Sequence, residues 1–472
     1  MKQIRTSIVF GIVLGFWACM SAAASETAVD YGKSADSVRE LLRQLVEADT
    51  SNPPGNEERA AAIGAKRLKD AGVSADITEF AAGRKNLVAR LKGTGDRKPL
   101  LLLAHIDVVG AKGQSWSTDP HKMIEREGFL IGRGVSDDLG MAAVEMEVFL
   151  LLKRANVTLD RDVILAWTGD EESGGQGILY LLKHKPESIS AGLVLNEGGE
   201  ISLDDKGKVN LVNIQAAEKT YQDFELIAKG PTGHSSVPLK ENAIYRLTRA
   251  LERFSHFREP ARLIPVTREY YRARAASEPP RVAAAMKTVS EAKGSLPAGA
   301  LKVLEEDPIH AANLRTTCVA TVIQGGTRVN ALPSEARANI NCRILPDESV
   351  EDIRKQLVKV IADSAIEVKA LEDFSRAEAS PVQGEGIDAI KKTAGEMWPG
   401  VPVLVSLSRG ATDSRFLRAA GIPAYGIDPI ALTEADGRRA HGIDERIPVS
   451  SLRPAIEFFH RLVLNLAQKR AS

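Results

Sequence analysis

Three apolar runs in this sequence end in acidic residues or histidines, the side chains that bind metal ions and transfer protons. The runs are residues 101–104, followed by His105 and Asp107; 164–167, followed by Asp170, Glu171 and Glu172; and 193–195, followed by Glu197. Continuous apolar runs of this kind are typical of strands buried on both faces of a parallel sheet. Because ligands bind at the carboxyl edge of such a sheet, the pattern predicts one site assembled from several loops.

His105 and Asp107 form the first part of this predicted site. Two residues apart in an extended segment, their side chains lie on the same side. The Asp107 carboxylate can therefore accept the proton of the imidazole nitrogen that does not bind metal, which fixes the tautomer of the ring. Taken alone, the pair is more typical of an ordinary surface or core hydrogen bond.

Glu171 and Glu172 are adjacent like charges beside a predicted buried strand. Burial of both carboxylates requires a metal ion or strong hydrogen-bond donors. One carboxylate can bind a metal ion while the other stays unligated and accepts a proton from metal-bound water. An exposed acidic loop is the alternative interpretation of this pair.

Two further segments contribute candidate metal ligands. The glycine-rich turn at residues 132–138 enters a helix near Met141. Within this turn Asp137 could offer two oxygens to two metal ions, or it could simply cap the helix. Residues 440–445 supply a second histidine, His441, in a loop before the C-terminal helix predicted from Ser451.

The periodicity around these segments predicts an α/β fold. Helical spacing of apolar residues begins at Val38 and recurs at 57–71, 141–155 and 178–184, and short strands are predicted at 75–78, 86–91, 100–104, 163–168 and 193–196. Alternating strands and helices indicate a mostly parallel sheet covered by helices. With 472 residues, we expect two domains, one of which could be inserted into the other.

The composition argues against nucleic-acid or membrane partners. Lys and Arg total 62 residues, which equals the 62 Asp and Glu, and 44% of the chain is hydrophobic. This balance provides no strongly basic surface for nucleic acid or an anionic membrane. Beyond the N-terminus, no segment has the ~18 uninterrupted apolar residues of a membrane span.

The N-terminus is typical of an export signal. Lys2 and Arg5 precede an apolar run at 8–20 and small residues at 21–24, so we expect residues 1–24 to be removed and the mature protein to be periplasmic or secreted. A membrane anchor is the alternative. After removal only Cys318 and Cys342 remain, which could form one disulfide or stay as two buried thiols.

Taken together, these motifs resemble the co-catalytic zinc exopeptidase and aminoacylase family, which includes glutamate carboxypeptidase, succinyl-diaminopimelate desuccinylase, aminoacylase and the carnosinase-like dipeptidases. The resemblance covers nearly all of the mature chain and rests on His105-x-Asp107, Gly-Arg-Gly-x-x-Asp137, Glu171-Glu172, Glu197 and His441 in this order. It implies two Zn²⁺ ions bridged by Asp137, with His105 and Glu197 completing one site, Glu172 and His441 the other, and Glu171 as general base. Co²⁺ or Mn²⁺ would suit similar ligands.

The resemblance also implies a lid and dimerisation domain inserted between two halves of the catalytic domain. We expect catalytic parts at 25–215 and 373–472 and a small α+β lid at 216–372, with strands near 221–228, 319–323 and 336–344 and a helix at 350–362. The basic, Ala-rich stretch at 254–312 is absent from the shortest lids of the family. We interpret it as a solvated helical hairpin that enlarges the lid; covering the cleft or replacing the dimer contact are the alternatives.

Four residues match substrate-contacting positions of the family. In the lid, His234 would donate to the substrate carbonyl oxygen as negative charge develops there, within its own chain or in a partner's active site. Arg343 would hold a substrate carboxylate with its guanidinium group. Asn330 and Thr412 match segments that contact substrate.

The implied reaction is hydrolysis of an amide or peptide bond adjacent to a free carboxylate. A zinc-bridged hydroxide, formed as Glu171 takes the proton, would attack the carbonyl that zinc and His234 polarise, and Glu171 would then protonate the leaving amine. Glu at position 197, together with Arg343, resembles the carboxypeptidase and aminoacylase branches. A dipeptidase that recognises a free amine remains an alternative, as does a non-catalytic metal- or peptide-binding protein on the same scaffold.

Overall fold

The computed structural model describes residues 29–371 and 377–469. The predicted export signal at 1–24 and the predicted domain boundary at 372/373 lie outside these residues. The helices are α1 (Tyr31–Glu47), α2 (Glu57–Asp70), α3 (Leu139–Arg154), α4 (Gln176–His184), α5 (Pro186–Ile189), α6 (Ala243–Ser255), α7 (Pro265–Arg274), α8 (Pro280–Glu291), α9 (Ala298–Leu304), α10 (Pro308–Asn313), α11 (Val350–Ile361), α12 (Glu385–Met397), α13 (Ser414–Ala419), α14 (Glu434–Gly437) and α15 (Val449–Ala467).

The strands are β1 (Ser51–Asn52), β2 (Ala75–Ala81), β3 (Arg84–Leu91), β4 (Leu100–His105), β5 (Val108–Val109), β6 (Ile124–Arg126), β7 (Phe129–Ile131), β8 (Val163–Thr168), β9 (Leu193–Asn196), β10 (Glu200–Leu203), β11 (Val209–Glu218), β12 (Thr220–Lys229), β13 (Gly233–His234), β14 (Thr317–Gly325), β15 (Ala331–Leu332), β16 (Glu335–Ile344), β17 (Ile366–Ala370), β18 (Val403–Ser408), β19 (Ala424–Gly426), β20 (Leu432–Thr433) and β21 (Arg446–Pro448).

A ten-stranded sheet carries the three apolar runs at its centre. Its order is β2-β3-β8-β4-β9-β19-β11-β10-β20, and β18 also pairs with β11. The central strands β8, β4, β9 and β19 are parallel, whereas β3 and β11 join this centre in the antiparallel sense. The α/β class predicted from the sequence is confirmed, with parallel pairing concentrated at the centre and mixed pairing at the flanks.

Helices cover both faces of this sheet, which explains why the central strands are apolar throughout. Every residue of β4 and β8 is buried. On one face, α1, α3, α12 and α15 share a large apolar core with these strands. On the other face, α4 and α13 enclose a smaller core. The carboxyl ends of the central strands are thus fixed between two helical layers.

The chain leaves this sheet at Lys219, between β11 and β12, and enters a second sheet that we call the lid. The lid sheet is antiparallel with the order β14-β16-β12-β17, and α6 and α11 cover one of its faces around Phe224, Ile340 and Leu357. Cys318 and Cys342 lie opposite each other on β14 and β16 and form a disulfide.

Residues 256–314, here called the cap, overlap the stretch predicted at 254–312, whose first two residues belong to α6, and contain α7 to α10. Helix α7 packs on β18 of the main sheet, and Ile264 and Val266 belong to the main core. Tyr271, Met286 and Leu304 form a separate small core inside the cap. This differs from the expected solvated hairpin, because the apolar face of the cap is buried against the catalytic part of the chain.

Among the helices of residues 29–371 and 377–469, none is both long enough and apolar enough to cross a membrane.

Candidate metal centre

The carboxyl ends of β4, β8 and β9 bring the predicted metal ligands together. Ligand atoms of His105, Asp137 and Glu172 lie within 4.8 Å of one another, and so do those of His105, Glu171 and Glu197. The sheet register explains this proximity, because His105 is aligned with the last residue of β8 and β4 also pairs with β9. Segments that are far apart in sequence therefore supply one cluster.

Asp137 lies between the two histidines of this cluster. Its Oδ1 is 3.1 Å from Nε2 of His105, and its Oδ2 is 3.0 Å from Nε2 of His441. Nε2 of His441 is also 3.1 Å from Oε2 of Glu172, and Nε2 of His105 is 3.9 Å from Oε1 of Glu197. Two groups of ligands thus share one carboxylate.

Three of these four separations fit ligands of one metal ion, and the separation between His105 and Glu197 is slightly longer. Nitrogen and oxygen ligands bound to one zinc ion at about 2.0–2.2 Å lie roughly 3–3.5 Å apart. Oε1 of Glu172 is buried and has no hydrogen-bond partner among the described residues, so it is an acceptor still to be satisfied. The donor set of imidazole and carboxylate groups suits zinc and related divalent ions.

The electrostatics of the cluster also favour a cation. Hydrogen bonds to Asp137 and Glu172 raise the pKa of His441 to about 10. Burial raises the pKa of Glu171 and of Glu197, and repulsion between neighbouring carboxylates adds to this effect. Because these carboxylates are crowded together, positive charge placed among them would relieve their repulsion.

Asp107 contacts the imidazole through its backbone rather than through the predicted carboxylate. Nδ1 of His105 is 2.9 Å from the carbonyl oxygen of Asp107 and 3.6 Å from its Oδ1. The buried carboxylate instead accepts hydrogen bonds from Nδ2 of Asn52 at 2.8 Å and from the N–H groups of Glu171 and Glu172 at 3.1 and 3.2 Å. Asp107 therefore fixes the turn that carries both glutamates.

Asn52 and Arg84 hold the same turn from the other side and were not identified in the sequence. Nδ2 of Asn52 donates to Oδ1 of Asp170 at 3.1 Å, and Nη1 of Arg84 donates to the same oxygen at 2.6 Å. Arg84 also pairs with the fully buried Glu57. Asn52 is followed by two prolines and a glycine, and no local signal in this turn reveals its contact.

Glu445 holds the turn that carries Asp137. Its carboxylate is fully buried and accepts four hydrogen bonds: from the N–H of Gly134 at 3.1 Å, of Ser136 at 2.8 Å and of Asp137 at 3.1 Å, and from Nη1 of Arg133 at 2.7 Å. Glu445 thereby links the turn that carries Asp137 to the C-terminal loop that carries His441. The place of Glu445 in the same loop as the second histidine is the signal that could have identified it.

Thr412 is buried and does not offer its hydroxyl to a substrate. The hydroxyl donates to Oε1 of Glu218 at 2.8 Å, and the N–H of Thr412 donates to Oε2 of Glu218 at 2.8 Å. Oε1 of Glu218 also accepts from Nη1 of Arg418 at 2.8 Å. The expected substrate contact is therefore replaced by an anchor for the turn at 409–413.

His234 and Asn330 lie together at an exposed part of the lid. His234 pairs with Ala331 on β15, and the N–H of Ser235 donates to the carbonyl oxygen of Asn330 at 3.0 Å. Nδ1 of His234 is 2.7 Å from Oγ of Ser236. In the described part of the chain, neither His234 nor Asn330 contacts the metal-ligand cluster.

Arg343 lies where the lid meets the turn at 409–413. Its Nη1 donates to the carbonyl oxygen of Arg409 at 3.1 Å, and its guanidinium lies 4.6 Å from the centre of the Tyr221 ring. A favourable cation–π contact of this kind fixes the direction of the side chain.

A cleft of about 520 Å³ opens beside the metal ligands Asp137 and Glu197. The cap contributes Tyr270 and Asn313 to its wall, and Arg409 lies on the wall after the end of β18. The cap therefore covers part of the cleft, which is one of the alternatives raised by the sequence.

Comparison with known proteins agrees with this geometry. The sequence model of peptidase family M20/M25/M40 matches residues 101–465. The chain is 28% identical over 380 residues to the N-fatty-acyl-amino acid synthase/hydrolase PM20D1 of Homo sapiens, covering 78% of this chain and 74% of that one. It is 23% identical over 435 residues to aminoacylase-1 of Pongo abelii, covering 90% and 94% of the two chains.

A solved M20 family metallo-carboxypeptidase from Sulfolobus solfataricus has the same fold, with a TM-score of 0.68 and 21% identity over 91% of this chain and 98% of that one. The family match includes each segment that supplies a ligand to the cluster, from His105 to His441. The chain belongs to peptidase family M20/M25/M40 and is a metal-dependent hydrolase.

Proposed function

We propose that this protein uses two Zn²⁺ ions to hydrolyse the amide bond of an N-acyl amino acid, or of a C-terminal peptide residue, next to a free carboxylate. The observation that carries the proposal is the position of Asp137, whose two oxygens face His105 and His441 separately. Glu197 would complete the first ligand set and Glu172 the second. When bound, the two ions would polarise the amide carbonyl and lower the pKa of the attacking water.

Glu171 would transfer the proton in this reaction. Its backbone N–H is held by Asp107, and its carboxylate lies within the cluster beside His105 and Glu197. An unligated carboxylate at this place can take a proton from water and pass it to the leaving amine. Asp107 would act indirectly, by holding the turn on which Glu171 lies.

Replacement of Glu171 tests this assignment. Glu171→Gln should keep both metal ions and lose about 10²–10⁴-fold in kcat, because a general base typically contributes that much. Glu252→Gln, at a position on α6 whose side chain is 64% exposed, is the matched control and should keep full activity. Metal content measured by atomic emission separates lost ligation from lost proton transfer. Unchanged turnover of Glu171→Gln would contradict the mechanism, whereas a metal-loaded wild-type protein without turnover would favour the alternative of a non-catalytic binding protein.

The identity of the metal needs its own measurement. Protein stripped with a chelator should regain activity with two equivalents of Zn²⁺, and Co²⁺ or Mn²⁺ should substitute in part because the same ligands suit them. Saturation of activity at one equivalent would contradict the two-ion arrangement.

The choice of substrate rests on the relatives. One relative is named an N-fatty-acyl-amino acid synthase/hydrolase and another an aminoacylase, and we infer that this chain takes N-acyl amino acids as substrates. Kinetics on an N-acyl amino acid and on the dipeptide with the same C-terminal residue separate this proposal from a dipeptidase. Faster turnover of the dipeptide would favour the enzyme that recognises a free amine.

We further propose that the lid forms a homodimer and that His234 and Asn330 act at a substrate from the lid. The edge strand β14 exposes Val319, Val322 and Ile323, which are 61%, 49% and 62% exposed. An exposed apolar edge strand invites pairing with a second chain. Light scattering should give twice the monomer mass, and Ile323→Lys should lower it; a monomeric wild-type protein would refute the dimer.

Mixed dimers decide which chain supplies His234. If the histidine acts across the dimer, mixing His234→Ala with Glu171→Gln protein should restore activity, because one site then has both groups. If it acts within its own chain, the mixture stays inactive.

We also propose that the protein is exported to the periplasm or secreted. The disulfide between Cys318 and Cys342 supports an oxidising compartment, where such bonds persist. Cell fractionation and N-terminal sequencing of the mature protein test this proposal, and a cytoplasmic protein that retains residues 1–24 would refute it.

A further inference from the structure

Arg409 is a cation on the wall of the cleft that has no acidic partner among the described residues. It follows the last residue of β18 and lines the same cleft as the ligands Asp137 and Glu197. Its side chain is exposed, and its guanidinium forms no ion pair or hydrogen bond with any residue of 29–371 and 377–469. By contrast, Arg418 on the following helix is buried in an ion pair with Glu218. Arg409 therefore remains free to bind an anion from solution.

The cap places two further polar groups on the same cleft. Asn313 is 9% exposed, and its Oδ1 is buried with no hydrogen-bond partner among the described residues. The side-chain amide of Asn313 also carries an N–H₂ donor. Tyr270 lines the cleft as well; burial raises the pKa of its hydroxyl, and the cations Arg274 and Arg409 partly oppose this effect. Arg409 thus lines the same cleft as two groups that can donate hydrogen bonds.

Further positive charge lies behind this end of the cleft. Lys219 is 1% exposed, and its Nζ donates to the carbonyl oxygens of Ala312 at 2.6 Å and Arg315 at 2.7 Å. Burial lowers the pKa of Lys219 to about 7, and the charges of Arg409, Arg343 and Arg315 lower it further although Glu348 opposes them. The cleft is therefore acidic around the metal ligands, and Arg409 is the single cation among the described residues that line it, with Lys219 buried nearby.

We propose that Arg409, together with Tyr270 and Asn313 of the cap, forms the subsite that binds the carboxylate of the substrate. The inference rests on the proposed function, which places the amide bond at the metal ligands and a free carboxylate next to it. A guanidinium group can bind a carboxylate through two parallel hydrogen bonds, and neighbouring neutral donors can satisfy the remaining lone pairs. Arg343, to which the family resemblance assigns the substrate carboxylate, lies at the same turn and donates to the carbonyl oxygen of Arg409.

The test compares two substrates that differ only in the anionic group: an N-acyl amino acid and its C-terminal primary amide. Arg409→Ala should lower kcat/KM for the carboxylate substrate by about 10-fold or more, since losing charge-assisted hydrogen bonds has effects of this size. The amide substrate should change by less than about threefold, because it carries no charge to lose. Most of the loss should appear in KM, as expected for binding that is equal in the ground and transition states.

Matched variants keep the test specific. Arg409→Lys should restore part of the loss, because an ammonium group keeps the charge without the paired hydrogen bonds. Tyr270→Phe and Asn313→Ala should each affect the carboxylate substrate more than the amide. Arg272→Ala removes a cap arginine that is 59% exposed and pairs with Glu269, and it should leave both substrates unaffected. Metal content should match the wild type in every variant.

The possible outcomes separate this subsite from the proposed function. Equal losses on both substrates, or no loss with Arg409→Ala, overturn the subsite while leaving the hydrolase proposal intact. Wild-type protein that is loaded with metal and hydrolyses neither substrate overturns the proposed function instead. Weaker inhibition of Arg409→Ala by the free product amino acid would support the subsite independently, since that measurement isolates binding of the carboxylate.

Discussion

The buried ion pair between Glu218 and Arg418 offers a sharp test of how the turn at 409–413 is held. Glu218 ends β11, Arg418 lies on α13, and both side chains are 2% exposed. Oε1 of Glu218 accepts from Arg418 and from the hydroxyl of Thr412, and Oε2 accepts from the N–H of Thr412. Glu218→Gln keeps the volume of the side chain but leaves the guanidinium charge of Arg418 uncompensated.

The expected magnitude follows from the burial of both partners. Removing one partner of a buried ion pair costs about 3–5 kcal/mol, because the remaining charge stays desolvated. For an unfolding unit of about 300 residues with an entropy of about 2.1 cal/mol/K per residue, a loss of about 4 kcal/mol lowers Tm by roughly 6 °C. Because the turn at 409–413 also loses an anchor, KM for the carboxylate substrate should rise as well.

Calorimetry and denaturant titration of metal-free protein measure this loss without interference from ligand binding. Glu351→Gln, which breaks an exposed pair with Arg354, should change stability by less than about 0.5 kcal/mol and serves as the control. The double variant Glu218→Gln/Arg418→Met should recover part of the loss, since the uncompensated charge is gone. A change of Tm below about 1 °C for Glu218→Gln, or strict additivity in the double variant, would refute the reasoning.

Three other predictions concern stability. Replacing Cys318 and Cys342 by serine opens a disulfide with a sequence separation of 24 and should destabilise the lid by about 3 kcal/mol, measured by denaturant titration with a reduced wild-type control; equal stability would contradict it. Burial lowers the pKa of His460 to about 4, below its ordinary value of 6.5, so the unfolded chain binds the proton first and stability falls as pH falls from about 6.5 to about 4. His460→Asn should lessen this acid-dependent fall of Tm, and an identical pH profile would count against it. Gly177→Ala would place a Cβ too close to the carbonyl oxygen of Gly169, so the free energy of unfolding should fall by about 1–3 kcal/mol and Tm should fall with it. Gly299→Ala, where the new Cβ meets open space, should leave Tm unchanged.

Much of the metal centre could be predicted because each ligand lies in a local motif with a chemical reason. His105, Glu171 and Glu197 follow apolar runs whose burial is visible in the sequence, and parallel strands must bring their carboxyl ends to one edge. Asp137 and His441 could be added only through the resemblance to a known family, because a glycine-rich turn and a lone histidine have ordinary alternatives.

The residues that hold these ligands could not be predicted in the same way. Glu218 and its partner Arg418 are 200 positions apart in the sequence. Asp107 and Asn52, which donates to the Asp107 carboxylate, are 55 positions apart. Such partners carry no local pattern, since any buried acid needs donors but the sequence does not say from which segment they come. Thr412 shows the consequence, because its motif suggested a substrate contact and the fold commits its hydroxyl to Glu218.

The sequence by itself determined the class of fold, the order of the ligand segments and the chemistry that those ligands support. Tertiary structure alone decided that the cap packs on β18 instead of extending the lid, that the cysteines pair, and that Arg409 lies free on the cleft wall. The physical reason is that periodicity along a chain shows which face of an element must be buried. The surface that buries it depends on strand order and on packing among distant segments.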